Sequence, residues 1–148
     1  MQPTSDDELK EYKRFYEGYG KKFTTLYSGI ELTGDIEIQT EEKHNLKVCC
    51  LIYGNIICKG LVFITKDAKI HGDIIAAAII IEGEVTGDLT ASDKIELRKS
   101  AKVKGNCKTA HFARDESCDF SGFVDESDQS TDFVIFEEKR DDYDLVIE

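Results

Sequence analysis

The chain has 148 residues and a formal charge of −11, with 19 Lys and Arg against 30 Asp and Glu, one Pro and no Trp. The acidic balance argues against a nucleic-acid binder, which needs a basic footprint to neutralise phosphates. The longest apolar run, Ile74 to Ile81, falls far short of the roughly 20 residues that cross a bilayer, and the length suits one compact domain with tails.

Residues 1–29 form a polar leader with five basic and five acidic residues. Ser5-Asp6-Asp7-Glu8 has capping-box spacing, and Leu9, Tyr12, Tyr16 and Tyr19 then share one helical face that Gly18 and Gly20 would end. A helix this short is marginal in water, so the expectation is a short helix or a disordered arm. Gln2 to Lys22 is polar and charged, unlike a signal peptide, and the expected location is cytoplasmic.

From residue 30 to residue 124 one phrase recurs: a glycine, usually followed by Asp or Asn and an aliphatic residue. The copies begin at Gly34, Gly54, Gly72, Gly87, Gly105 and Gly122, with steps of 20, 18, 15, 18 and 17 residues. So short a period, filled with alternating apolar residues, predicts a stack of strand coils. In the coil after Gly87-Asp88, Leu89, Ala91, Ile95, Leu97, Ala101 and Val103 point inward by two-residue alternation. Interruptions near Ser92-Asp93 and Arg98-Ser100, with the corner at Gly105-Asn106, predict three short strands per coil and a triangular cross-section. Laying coils over one another aligns Ile36, Ile56, Ile74, Leu89 and Cys107 in one column and Ile52, Ile70, Val85, Val103 and Phe120 in another.

The corner glycines are structural turns, expected at positive φ, and each following Asp or Asn is expected to bond its own local backbone. Stacking makes a column of Asp35, Asn55, Asp73, Asp88 and Asn106, in which the adjacent carboxylates of Asp73 and Asp88 should need relief from water or a lysine. No third ligand converges there, so no metal site is assigned. The cysteines, Cys49, Cys50, Cys58, Cys107 and Cys118, are odd in number and lack Cys-x-x-Cys pairs; they read as small interior side chains.

The end coils leave unpaired strand edges and an open apolar cross-section. No cap is evident, since the block starts at Ile30-Glu31-Leu32 and finishes at Phe120-Ser121-Gly122-Phe123. Ile30, Leu32, Phe120 and Phe123 are therefore the candidate polymer-interface residues. Residues 125–148 follow as a tail with two basic and ten acidic residues, hence −8, and with apolar clusters at Phe133-Val134-Ile135-Phe136 and Leu145-Val146-Ile147. Such a tail is expected to be disordered, though its clusters could add a strand to an exposed edge.

The phrases Gly72-Asp73-Ile74-Ile75-Ala76, Val85-Thr86-Gly87-Asp88-Leu89-Thr90-Ala91, Ala101-Lys102-Val103-Lys104-Gly105-Asn106 and Cys118-Asp119-Phe120-Ser121-Gly122 resemble the bactofilin domain, the polymer-forming cytoskeletal module of bacteria. The resemblance covers roughly residues 30–124. It implies an all-β fold, a right-handed three-sided parallel β-helix of about six windings with flexible tails. It also implies end-to-end, nonpolar, nucleotide-independent filaments that scaffold cell shape, cell-wall synthesis or polarity, with Phe120 at the subunit junction. The implied partners are other copies of the chain, and membrane-associated or cell-wall-related clients reached through the tails; no cofactor, nucleic acid or small-molecule substrate is expected. Many relatives begin with an apolar membrane-targeting peptide, which this charged leader does not resemble, so the location expected is the cytoplasm, with the inner face of its membrane as the alternative.

Two other readings compete. A monomeric or dimeric β-helix adaptor would use its tails to cover the ends. A hexapeptide-type acyltransferase would need a histidine at a subunit groove, but His44, His71 and His111 occupy unrelated repeat positions. Polysaccharide-cleaving β-helices need long acid-bearing loops, for which only Glu41 to Asn45 offers room. No catalytic residue is assigned.

Overall fold

A computed structural model describes residues 23–38 and 44–126. The leader helix expected around Leu9 to Tyr19, most of the Glu41–Asn45 insertion, and the tail beyond Glu126 lie outside the described residues. Short apolar-polar alternation between glycine corners gives strands, and every strand pair is parallel. Parallel pairing between equivalent residues of successive coils makes a β-solenoid of about five turns, bounded by the six corner glycines.

The coil has three faces. One is a six-stranded sheet of β2 (Glu31–Thr33), β5 (Leu51–Tyr53), β8 (Lys69–His71), β10 (Glu84–Thr86), β12 (Lys102–Lys104) and β14 (Asp119–Ser121). The second stacks β3 (Ile36–Ile38), β6 (Ile56–Cys58), the first halves of β9 (Ile74–Ile81), β11 (Leu89–Leu97) and β13 (Cys107–Arg114), and then β15 (Val124–Glu126). The third stacks β1 (Phe23–Leu26), β4 (Asn45–Val48), β7 (Leu61–Ile64) and the second halves of β9, β11 and β13.

The turns number about five where about six were expected, and two features of the wall also depart from the sequence reading. The wall already includes β1, seven residues before the expected start at Ile30, because Phe23–Leu26 pairs with β4 without any glycine phrase to announce it. The expected break at Ser92-Asp93 is instead a bulge inside the continuous strand β11, where the register shifts between Ala91 and Lys94 against both neighbours. One surplus residue there lets the strand turn the corner without losing its ladder.

Inside, the expected columns form. Ile36, Ile56, Ile74, Leu89 and Cys107 stack in register, as do Leu32, Ile52, Ile70, Val85, Val103 and Phe120. Leu46, Val62, Ile79 and Ile95 fill a third, and these interior residues are buried throughout the middle coils. Each such side chain contributes about 1.5 to 3 kcal/mol by leaving water. At another corner the same backbone turn recurs: Ala68 donates to the Thr65 carbonyl, Ala101 to Arg98 and Cys118 to Asp115, at 3.0, 3.0 and 3.1 Å. The residue closing each turn packs into the interior core, and it is Ala or Cys.

The glycine corner is tighter still. A Cβ on Gly72, whose φ is +159°, would fall on the carbonyl oxygen of Gly54 one coil back. The neighbouring Asx residues correct the expectation of local turn bonds. The Asp35 Oδ1 accepts from the Asn55 N–H, Asn55 Oδ1 from the Asp73 N–H and Asp73 Oδ1 from the Asp88 N–H, each at 2.8 Å. Asp88 Oδ1 then accepts from Asn106 at 2.9 Å, and Asn106 Oδ1 from Phe123 at 3.1 Å. Every bond thus crosses to the following coil, and the Asp73–Asp88 pair is relieved by backbone donors where water or lysine was expected. Asn45, fully buried, uses its Oδ1 in the same manner to accept from the Leu61 N–H at 2.8 Å.

All five cysteines are free, and Cys50, Cys58, Cys107 and Cys118 are buried. Burial pushes the Cys58 thiol up to about 11, opposed by a backbone hydrogen bond at Gly60, and burial followed by the nearby Asp88 carboxylate pushes Cys107 up to about 12. Cys58 Sγ also donates to the His44 carbonyl at 3.1 Å. These are neutral packing groups at physiological pH.

Gly72→Ala should destabilise the fold by about 3 kcal/mol or more, since backbone must move. Gly34→Ala, where a Cβ meets nothing within 4 Å, should cost about 1 to 2 kcal/mol from its φ alone. Urea unfolding of the two variants checks the order, and equal losses would refute coil-to-coil crowding. A second expectation follows from the thiols, whose folded pKa lies above the unfolded 9.0. Their contribution is complete below pH 9 and is lost as pH rises towards 11 and 12, because the unfolded chain releases protons that the fold retains. The urea midpoint should therefore fall between pH 8 and pH 11, and by less in Cys58→Ala/Cys107→Ala; an identical fall in both proteins would disprove the assignment.

Candidate assembly surfaces

A strand in the middle of this stack has parallel neighbours on both sides. Among the described residues, β1, β2 and β3 at one end pair only with β4, β5 and β6. At the other end β14 and β15 pair only with β12 and β13. The interior columns reach the surface at the same places. Leu26, Leu32, Ile36 and Ile38 are only partly buried, whereas Val48, Ile52, Ile56 and Cys58 one coil deeper are at 0 % exposure. Tyr27 and Ile30 beside that mouth are 68 % and 41 % exposed.

The opposite mouth is aromatic. Phe120 lies half-buried against Phe112, with ring centroids 5.8 Å apart and planes tilted by 45°. The Arg114 guanidinium sits 5.6 Å from the Phe120 centroid and donates weakly to the Cys118 carbonyl at 3.5 Å. That placement covers one ring face with a cation that keeps its access to water. Phe123 is 80 % and Val124 39 % exposed. One edge amide is already occupied: Glu126 Oε2 accepts from the Phe112 N–H at 2.9 Å. Nearby, hydrogen bonds from the Ser117 hydroxyl and N–H hold the Asp115 carboxyl below the usual carboxylate range and fix the last turn.

The four residues singled out from sequence therefore divide between two surfaces. Ile30 and Leu32 belong to the first mouth and Phe120 and Phe123 to the last, at opposite ends of the six-stranded sheet. Phe123 does not fill the interior; it occupies the outward slot that Asp or Asn holds in other coils. Sequence reasoning missed Leu26, because β1 was unrecognised, and Phe112 and Arg114, although Phe112 follows Ile95 in its column. Glu126 carries no sequence signal for bonding a strand edge.

Among the described residues the other reactive side chains stay apart. His44 Nε2 bonds the Thr24 hydroxyl at 2.7 Å, His71 stacks on Tyr53 at 5.0 Å, and His111 is exposed on β13. Asp73 and Asp88 spend an oxygen each on backbone donors. Among the described residues no three His, Cys, Asp or Glu side chains gather to hold a metal ion, and no helix is long and apolar enough to cross a membrane.

Comparison with known proteins agrees with this geometry. Residues 24–125 match the family model Bactofilin, described as polymer-forming cytoskeletal. Bactofilin BacO of Myxococcus xanthus (strain DK1622) is 30 % identical over 102 residues, which cover 69 % of this chain and 78 % of that protein. No solved structure matched. With the match spanning the first and last described coils and every coil between them, the chain belongs to the bactofilin family of polymer-forming cytoskeletal proteins.

Proposed function

We propose that copies of this chain join end to end, mouth against mouth, into nucleotide-independent filaments that act as a non-enzymatic scaffold for cell shape, cell-wall synthesis or polarity. The observation that carries this reading is the change in burial along the columns at the first mouth, from 0 % at Val48, Ile52, Ile56 and Cys58 to half-buried at Leu26, Leu32, Ile36 and Ile38. A second molecule placed on the rim would supply the missing coil. Its strands would pair the open edges, and its side chains would remove Leu32, Ile36 and Ile38, or Phe112 and Phe120, from water. Hydrophobic burial supplies the driving force and edge pairing the register. Family membership supports self-assembly. The filament's placement in the cytoplasm, at times against the inner membrane face, and the recruitment of membrane-associated or cell-wall-related clients by the leader and the tail belong to the same proposal.

Negative-stain microscopy of the purified protein tests the core of it. Filaments are expected, and monodisperse particles at high concentration would favour an adaptor with covered ends. Phe120→Arg should leave the circular-dichroism strand signal intact while shortening or abolishing filaments. An unpaired charge in a dry joint costs about 3 to 5 kcal/mol, a fall of roughly two to four orders of magnitude in association constant, and Arg114 would repel the new charge. Normal filaments in that variant would place the joint elsewhere. Removing residues 127–148, which leaves β15 whole, should increase lateral bundling at low salt by removing acidic repulsion. Unchanged or weaker bundling would dismiss the tail as a spacer.

A further inference from the structure

The outer sides of the faces differ. On the third face Leu61, Phe63, Ala78 and Ile80 form a second apolar cluster on the outward side of the wall, and that cluster is buried, at 0 % to 3 % exposure. The outer side of the six-stranded sheet is exposed instead: β8 and β12 each bury only the central residue of three and turn the flanking two to solvent. The register sets these outward residues in two straight columns. The first runs Glu31, Leu51, Lys69, Glu84, Lys102, Asp119, so that charge alternates at every step from Lys69 to Asp119. The second runs Thr33, Tyr53, His71, Thr86, Lys104, Ser121, with Tyr53 stacked on His71. Lys69, Lys102 and Asp119 are exposed and Glu84 is partly exposed. Among the described residues none of these four charges is held in an ion pair.

We propose that this sheet face is a lateral contact between copies of the chain. Two copies lie face to face with their stacks antiparallel, so that Lys69, Glu84, Lys102 and Asp119 of one stand opposite Asp119, Lys102, Glu84 and Lys69 of the other. The rungs are about 4.8 Å apart on both copies, so all four opposite-charge pairs come into register together. A slide of one rung brings like charges together in either direction: Lys69 faces Lys102 one way, and Glu84 faces Asp119 the other. Full overlap of the six rungs sets Glu31 against Asp119. With the stacks parallel the first column would lie over the second, and the best register there forms only two pairs, both through Lys104. In the antiparallel register the second columns meet without conflict, Thr86 against Lys104 and His71 against Ser121. Charge complementarity of this kind fixes orientation and register more than affinity. The patch covers on the order of 200 Å² per copy, far below the roughly 800 Å² per partner of a stable complex. The contact therefore counts between filaments, where many such patches act at once, and in that respect it rests on the end-to-end assembly proposed above.

Sedimentation of the full-length protein tests it, in about 0.1 M salt, where repulsion between the acidic tails is screened beyond roughly 10 Å. Bundles pellet at low speed and single filaments only at high speed, and negative-stain microscopy distinguishes the two. Glu84→Lys makes the chain less acidic, so general repulsion predicts more bundling, whereas the pairing predicts several-fold less, because the new lysine would face Lys102. Lys102→Glu should lose its bundles as well, since the new carboxylate would face Glu84. Preformed filaments of the two single variants, once mixed, regain every opposite-charge pair and should bundle together as the wild type does, and Glu84→Lys/Lys102→Glu should bundle by itself. Strand content by circular dichroism and the yield of filaments at high speed should be the same in every variant. Undiminished bundling in Glu84→Lys, a mixture that stays as single filaments, or wild-type protein that forms only single filaments overturns the proposal. Protein that forms no filaments at all removes the end-to-end reading, and this one with it.

Discussion

Each coil is laid directly on the one before it, residue against equivalent residue, at the spacing of paired backbones. That stacking distance governs the rest of the molecule. It lets the peptide groups of every interior strand bond on both sides, and it places identical column positions within contact of each other. At the corner it leaves no room for a side chain, so the path from Gly54 through Gly72 to Gly87 is closed to any residue with a Cβ. It also brings each Asx carboxamide or carboxylate within reach of the next coil's amide, turning a row of surface polar groups into a continuous tie.

The same constraint explains which parts of the fold were legible in sequence. A column repeats its chemistry, so Ile36, Ile56, Ile74 and Leu89 could be aligned by eye and were found in register. The corner glycines were legible because only one residue type fits there. Features with no repeat to lean on were not. Phe23–Leu26 has no alternation and no glycine phrase, yet it is a wall strand because β4 offers it an edge. The bulge at Ser92-Asp93 looks like a loop in sequence, since polar residues interrupt the pattern, but one surplus residue is too few to leave the ladder. The Asx bonds were assigned locally because sequence shows what is adjacent along the chain and not what lies one coil away.

The candidate site was partly legible for a related reason. That a stack has two ends follows from periodicity alone, and so do the exposed rims. Which side chains line those rims depends on where the first and last strands fall. Recognising the start at Ile30 instead of Phe23 hid Leu26, and the aromatic partnership of Phe112 with Phe120 needed the actual curvature of the last coil. The outward cluster around Phe63 and Ile80 was hidden for the opposite reason: an unbroken apolar run reads as interior, and only the fold separates the side facing the lumen from the side facing away.

The chain of side-chain oxygens along the corner runs in one direction, each serving the coil that comes after it, and it halts where Phe123 stands in the slot. A phenyl ring has no acceptor to hand onward. Were another turn of the same backbone laid on top, its amide would arrive to find hydrocarbon. Among the described coils the tie therefore runs from Asp35 to Phe123 and is handed no further.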